Sequence, residues 1–113
     1  MLDMLITKRR LQEGIVLVNI AGDLDAHTCG LLETALEDLL KGKVYKVILK
    51  LDGLDYLSSA GVEVFLDASE RLQACHGGMV ILKPSASVLD VFGLLGLSRM
   101  IPIVEDLPGA LAA

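Results

Sequence analysis

Leu54-Asp55-Tyr56-Leu57-Ser58-Ser59-Ala60-Gly61 sets two hydroxyls between a buried apolar run and an amphipathic one, where a strand gives way to a helix. A helix start is a natural seat for an anion. Its first backbone N–H groups have no partner within the helix, and its dipole favours negative charge there. A serine at such a position can cap the helix, attack an acyl group or accept a phosphate.

Downstream of the serines, Val62, Phe65, Leu66, Ser69 and Leu72 follow the i, i+3, i+4 spacing of a helix, which Gly77-Gly78 ends. Upstream, Ile15 to Ile20 and Val44 to Leu51 are apolar β-branched runs, as is Met79 to Leu82 beyond the helix. These three read as strands buried on both faces. Between the first two, Leu31, Leu32, Ala35, Leu36, Leu39 and Leu40 form one side of a helix that Gly42 closes. Pro84 stops the strand at 79–82, and Ser87 with Asp90 resembles a capping box opening a shorter helix through Leu95. Ile101 to Val104, broken by Pro102, reads as an edge strand, as does Met4 to Arg10, and Leu107 to Ala113 as a last turn of helix. Strands alternating with helices imply βαβ crossovers and an α/β fold: a mixed sheet of four to five strands packed with about four helices. In such sheets ligands and partners meet the loops beyond the carboxyl ends of the strands, here Gly22 to Thr28 and Asp52 to Gly61.

A chain of 113 residues is expected to form one domain, residues 1–113. Hydrophobic residues make up 53% of it, yet no apolar run approaches the roughly 18 residues of a membrane span. Lys8, Arg9 and Arg10 follow the short apolar start rather than precede it, the reverse of a secretory signal. A soluble, cytoplasmic protein is the expectation, with no membrane insertion. Cys29 and Cys75 fall in separate helices and form no Cys-x-x-Cys pair, so both read as reduced packing residues. With a formal charge of −5 and a single basic cluster there is no footprint for nucleic acid, and an acidic surface favours a basic protein partner.

Asp23 and Asp25, in Gly22-Asp23-Leu24-Asp25-Ala26-His27-Thr28, precede the first helix, where an aspartate caps and complements the dipole. Two carboxylates and His27 could in principle hold a metal, but no second cluster follows at ligand spacing, so no metal site is assigned. Gly-x-x-x-x-Gly-Lys and Gly-x-Gly-x-x-Gly are absent, so no nucleotide or other cofactor is expected. As a nucleophile, Ser59 lacks the first glycine of Gly-x-Ser-x-Gly, because Leu57 stands there. His76 lies about 20 Å away at the far end of the same helix, leaving His27 as the one conceivable base. Catalysis is therefore not expected, and capping or phosphate acceptance remain. Ala60-Gly61 would leave the helix end open to another molecule.

Together these segments resemble the anti-sigma factor antagonists, the stand-alone members of the STAS domain family. Gly22 to Thr28 is similar to the family's Gly-Glu/Asp-Leu/Ile-Asp-x-x-Thr loop, and Leu49 to Leu54 to its central strand and exit. Tyr56 to Val62 is similar to its Tyr-Ile/Met-Asp/Ser-Ser-Ser/Thr/Ala-Gly-Leu stretch, whose phosphate-accepting serine corresponds to Ser59. The resemblance implies a STAS fold and a partner switch. The unphosphorylated protein would bind an anti-sigma factor that is also a serine kinase, phosphorylation at Ser59 would release it, and a PP2C-type phosphatase would reset it. Asp23, Asp25, His27, Thr28, Ser58, Ala60, Gly61 and Glu63 would line the partner contact. Many members carry Asp where this chain has Ser58, which leaves Ser58 as an alternative acceptor, and Glu63 stands where a small residue is common. The same fold also serves as a non-switching subunit docked on the ATPase of lipid-transport ABC complexes.

Overall fold

The computed structural model describes residues 4–113. Among them, six strands and four α-helices follow in the order β1 (Met4–Gln12), β2 (Ile15–Leu24), α1 (Cys29–Lys41), β3 (Lys46–Lys50), β4 (Leu54–Leu57), α2 (Ser59–Ala74), β5 (Gly78–Leu82), α3 (Ala86–Leu95), β6 (Ile103–Val104) and α4 (Leu107–Ala112). A short 3-10 turn, Leu97–Arg99, follows α3. The strands form one mixed sheet in the order β1-β2-β3-β5-β6, with β4 paired to β2. Only β1 runs antiparallel to its neighbour.

The alternating strand pattern builds two cores. Val16, Val18 and Ile20 of β2, Val47 and Leu49 of β3, and Met79 and Ile81 of β5 share the larger one with Leu32 and Leu36 of α1 and Phe65 and Leu72 of α2. Phe65 meets Phe92 of α3 edge to face, with ring centroids 6.3 Å apart, so this pair ties α2 to α3. The smaller core sets Ile48, Val80 and Leu82 against Ala110 of α4. Lys46 is buried, and its Nζ donates to the carbonyls of Leu111 and Ala113 at 3.0 and 2.7 Å. A buried ammonium needs such acceptors, and here they are orphan carbonyls of a helix end. β3 is buried on both faces along Lys46 to Leu49, whereas Leu17 and Asn19 of β2 are half-buried.

Two expectations from the sequence are corrected. Residues 52–61 are not wholly a loop, because Leu54–Leu57 forms β4, a sixth strand with only its two ends buried. The Ser87–Asp90 capping box does not form either. Helix α3 begins after Ser85, whose hydroxyl donates to the Leu54 carbonyl at 2.8 Å and so anchors the helix to β4. The two strands read as edges, Met4–Gln12 and the short one after Pro102, do flank the sheet, and Asp106 caps α4 by accepting from the Gly109 N–H at 2.7 Å.

β3 and β4 lie along the same edge of β2. β3 pairs with Ile15 to Asn19 and β4 with Gly22 to Leu24, and the chain jogs between them at Asp52-Gly53. The Gly22 N–H donates to the Gly53 carbonyl at 2.9 Å and holds the jog. This offset carries the end of β4, and α2 with it, to the carboxyl end of β2.

Candidate functional site

Two loops meet at that end. The parallel β2–β4 ladder sets Leu24 beside Leu57, and the Ser58 N–H donates to the Leu24 carbonyl at 2.9 Å. The start of α2 is therefore fixed against the segment Asp25 to Thr28 that leads into α1.

The two serines do different things there. Ser58 is extended, at φ −89° and ψ 167°, and is the N-cap of α2. Its Oγ accepts from the Gly61 N–H at 3.3 Å and its carbonyl from the Val62 N–H at 3.1 Å. Ser59 is the first helical residue, is exposed, and makes no side-chain hydrogen bond among the described residues. Of the two readings left open for Ser59, capping falls to its neighbour instead. The cap is one residue earlier, because only a residue outside the helix can turn its oxygen back onto the first amides.

Gly61 is corrected as well. It is buried, and a Cβ placed on it would stand 2.6 Å from Cγ and 2.7 Å from Cδ2 of Leu24, and 2.9 Å from Cδ1 of Leu57. The missing side chain lets α2 sit down on two leucines and does not open the helix end to a visitor. Ala60 is half-buried and Glu63 exposed, both on the outer side of the first turn.

In the facing loop, Thr28 is buried and its hydroxyl acts as a latch. It donates to the Asp23 carbonyl at 2.8 Å and accepts from the Asp25 N–H at 2.9 Å. The Asp25 carboxylate accepts from the His27 and Thr28 N–H groups at 2.9 and 3.0 Å, capping the turn that opens α1. Asp23 is half-buried, and the His27 ring is exposed with no hydrogen bond among the described residues. Asp25 and Thr28 therefore shape the loop, while Asp23, His27, Ser59, Ala60 and Glu63 offer surface. The Asp-x-x-Thr spacing carried this signal in the sequence, since both side chains bond readily to nearby backbone.

Partial burial pushes the Asp25 carboxyl up, but the hydrogen bonds from His27 and Thr28, with the imidazole nearby, outweigh it and hold it below the ordinary aspartate value. A lowered carboxylate stabilises the fold fully above its unfolded value, and the gain is lost as pH falls through the lowered one. Asp25→Asn is expected to keep the two N–H bonds to its amide oxygen. Urea midpoints measured from about pH 5 down to about pH 3 should then fall less steeply for the variant than for the wild type.

The STAS domain family model matches residues 8–110. The chain belongs to the STAS domain family. An anti-sigma F factor antagonist of Lysinibacillus sphaericus is 30% identical over 83 residues, 73% of this chain and 71% of that protein. The structure of the anti-sigma factor antagonist SpoIIAA in its unphosphorylated form superposes with a TM-score of 0.80 at 23% identity, covering 90% of each chain. An anti-sigma factor antagonist from Mycobacterium paratuberculosis superposes with a TM-score of 0.86 at 20% identity, over 96% of this chain and 92% of that one. These likenesses show the STAS fold.

The sequence left one feature of this STAS domain unread. Helices α1 and α2 enclose a groove of about 320 Å³ that begins at Ala60. At its far end Arg71 of α2 spans to Glu37 of α1, Nη1 to Oε2 at 2.9 Å, and lies 3.9 Å from Asp67. Each charge sits on the polar side of its own helix in the sequence pattern. Only the crossing of the two helices brings them together.

Proposed function

We propose that this STAS domain is an anti-sigma factor antagonist that works by partner switching in the cytoplasm, as a binding module without catalytic activity. The unphosphorylated chain binds an anti-sigma factor that is also a serine kinase and frees a sigma factor. The kinase then phosphorylates Ser59 and is released, and a PP2C-type phosphatase restores the free hydroxyl. One observation carries this reading: Ser59 is exposed at the first position of α2 with an unengaged hydroxyl, while Ser58 is spent on the cap. The anti-sigma F factor antagonist of L. sphaericus supports it by name.

The physics needs no refolding. A phosphate adds about −1.5 to −2 charges and three acceptor oxygens, which a helix start tolerates. Inside a tight contact the same group must be desolvated beside Asp25, an ionised carboxylate in the neighbouring loop. In this reading Asp23, His27, Ala60 and Glu63 share the contact surface with the serine, and Asp25, Thr28, Ser58 and Gly61 hold the two loops in shape.

Incubation with the cognate kinase and ATP, read by mass spectrometry, is expected to phosphorylate the wild type and Ser58→Ala but leave Ser59→Ala unmodified. Ser59→Asp should weaken kinase binding about tenfold or more in calorimetry, about 1.4 kcal/mol. Labelling that persists in Ser59→Ala moves the acceptor to Ser58. Failure of any kinase-like ATPase of the native cell to bind overturns the switch, and capture of a transport ATPase instead supports a permanent subunit.

A further inference from the structure

The groove between α1 and α2 has an apolar floor and acidic walls. Leu36, Val64 and Ala68 form the floor, each almost fully buried, at 3%, 8% and 3% exposure. Four carboxylates, Glu33, Glu37, Glu63 and Asp67, line it against the single guanidinium of Arg71. Arg71 is committed to Glu37, with Asp67 at 3.9 Å. Glu33 and Glu63 are exposed and have no ion-pair partner among the described residues. Facing helices that carry unpaired like charges over a shared apolar seam attract the opposite sign and repel their own.

We propose that this groove seats a basic amphipathic segment of the anti-sigma factor kinase, its apolar side chains on Leu36, Val64 and Ala68 and its lysines or arginines toward Glu33 and Glu63. The proposal rests on the partner-switching reading and names the surface that steers the partner in. Two features select this occupant. The acidic walls and the formal charge of −5 repel nucleic acid and anionic lipid alike. The groove also opens at Ala60, the residue after Ser59, so a segment lying in it brings the rest of its owner to the serine.

The division of labour is then kinetic. Charge on the groove walls sets the encounter rate, whereas the contact around Ser59 sets how long the complex lasts. A phosphate on Ser59 leaves the groove walls as they are, and its negative charge adds to their attraction for a basic segment, so its opposing effect falls on dissociation. The kinase can therefore still find the phosphorylated chain, although it no longer stays.

The test uses purified kinase and full-length chain in stopped-flow binding. The paired variant Glu33→Gln with Glu63→Gln keeps shape and removes two charges at exposed positions. Its association rate should fall about tenfold at low salt, about 50 mM, and by less than about twofold at about 500 mM. The paired variant should also slow association in a Ser59→Asp background, where the groove walls are otherwise the same. Glu13→Gln, in the β1–β2 turn at the opposite end of β2, should change neither rate, and thermal unfolding should be the same for all variants. Wild-type binding with an unaltered association rate in the paired variant overturns the groove proposal and leaves the switch standing. An equal loss at both salt concentrations also overturns it, since the loss would then not be electrostatic. The rival occupant is a second copy presenting Lys8, Arg9 and Arg10 of β1. A dimer in sedimentation that the paired variant abolishes, with kinase association unchanged, would assign the groove to self-association instead.

Discussion

Gly61→Val is expected to destabilise the fold by about 3 kcal/mol or more, and Gly61→Ala by about 1–3 kcal/mol. A single Cβ at this position already comes within 3 Å of three carbons of Leu24 and Leu57. Leu24 is fully buried and Leu57 nearly so. Neither can yield without moving the β2–β4 ladder, and valine adds two further carbons and a stiff χ1. Helix α2 would have to lift away from β4, carrying Ser59 with it. Urea denaturation measures the first consequence and kinase phosphorylation rate the second. If Gly61 were instead an open docking surface, valine would weaken binding and leave the urea midpoint unchanged, and that outcome would refute the packing account.

Phe65→Ala should cost about 3–5 kcal/mol. Phe65 is fully buried in the larger core, and its ring is the edge-to-face partner of Phe92. Truncation leaves a cavity beside Phe92 and removes the edge-to-face pair that joins α2 to α3. For a domain whose total stability is about 5–15 kcal/mol this is a large fraction, so the melting temperature should drop by more than about 10 °C. Phe65→Leu should recover most of the loss, because it restores much of the volume without the ring. A drop of only a few degrees for the alanine variant would mean that the core collapses around the gap.

The strands and helices were legible in the sequence wherever burial imposed a strong period. The apolar runs at 15–20, 44–51 and 79–82 and the amphipathic stretches after residues 31 and 62 are all present in the fold. β4 escaped because Leu54-Asp55-Tyr56-Leu57 neither alternates nor forms an apolar run, its burial following buried, exposed, exposed, buried. Its pairing with β2 is a tertiary fact. The same holds for the capping serine. Ser58 and Ser59 are adjacent and chemically identical, and only the helix start, fixed by the Ser58–Leu24 hydrogen bond, decides which oxygen turns inward. For Ser85, local spacing favoured Ser87 with Asp90, yet the bond to Leu54 thirty-one residues away set where α3 begins. The cap made by Asp25, by contrast, was readable, since its carboxylate accepts from amides within three positions of itself, whereas the buried Thr28 latch on the Asp23 carbonyl was not read.

The jog at Asp52-Gly53 gives this domain an uneven tolerance to changes in chain length. Loops on a protein surface usually absorb an inserted or deleted residue, because nothing downstream depends on their count. Here the count between β3 and β4 sets the register in which Tyr56 and Leu57 meet Asp23 and Leu24, and one residue more or less would move Leu57 off Leu24. The helix that begins two residues later would start rotated, with Ser59 no longer beside the Asp25 loop. Spacing in this short connection is thus part of the site, in the way a residue's identity usually is.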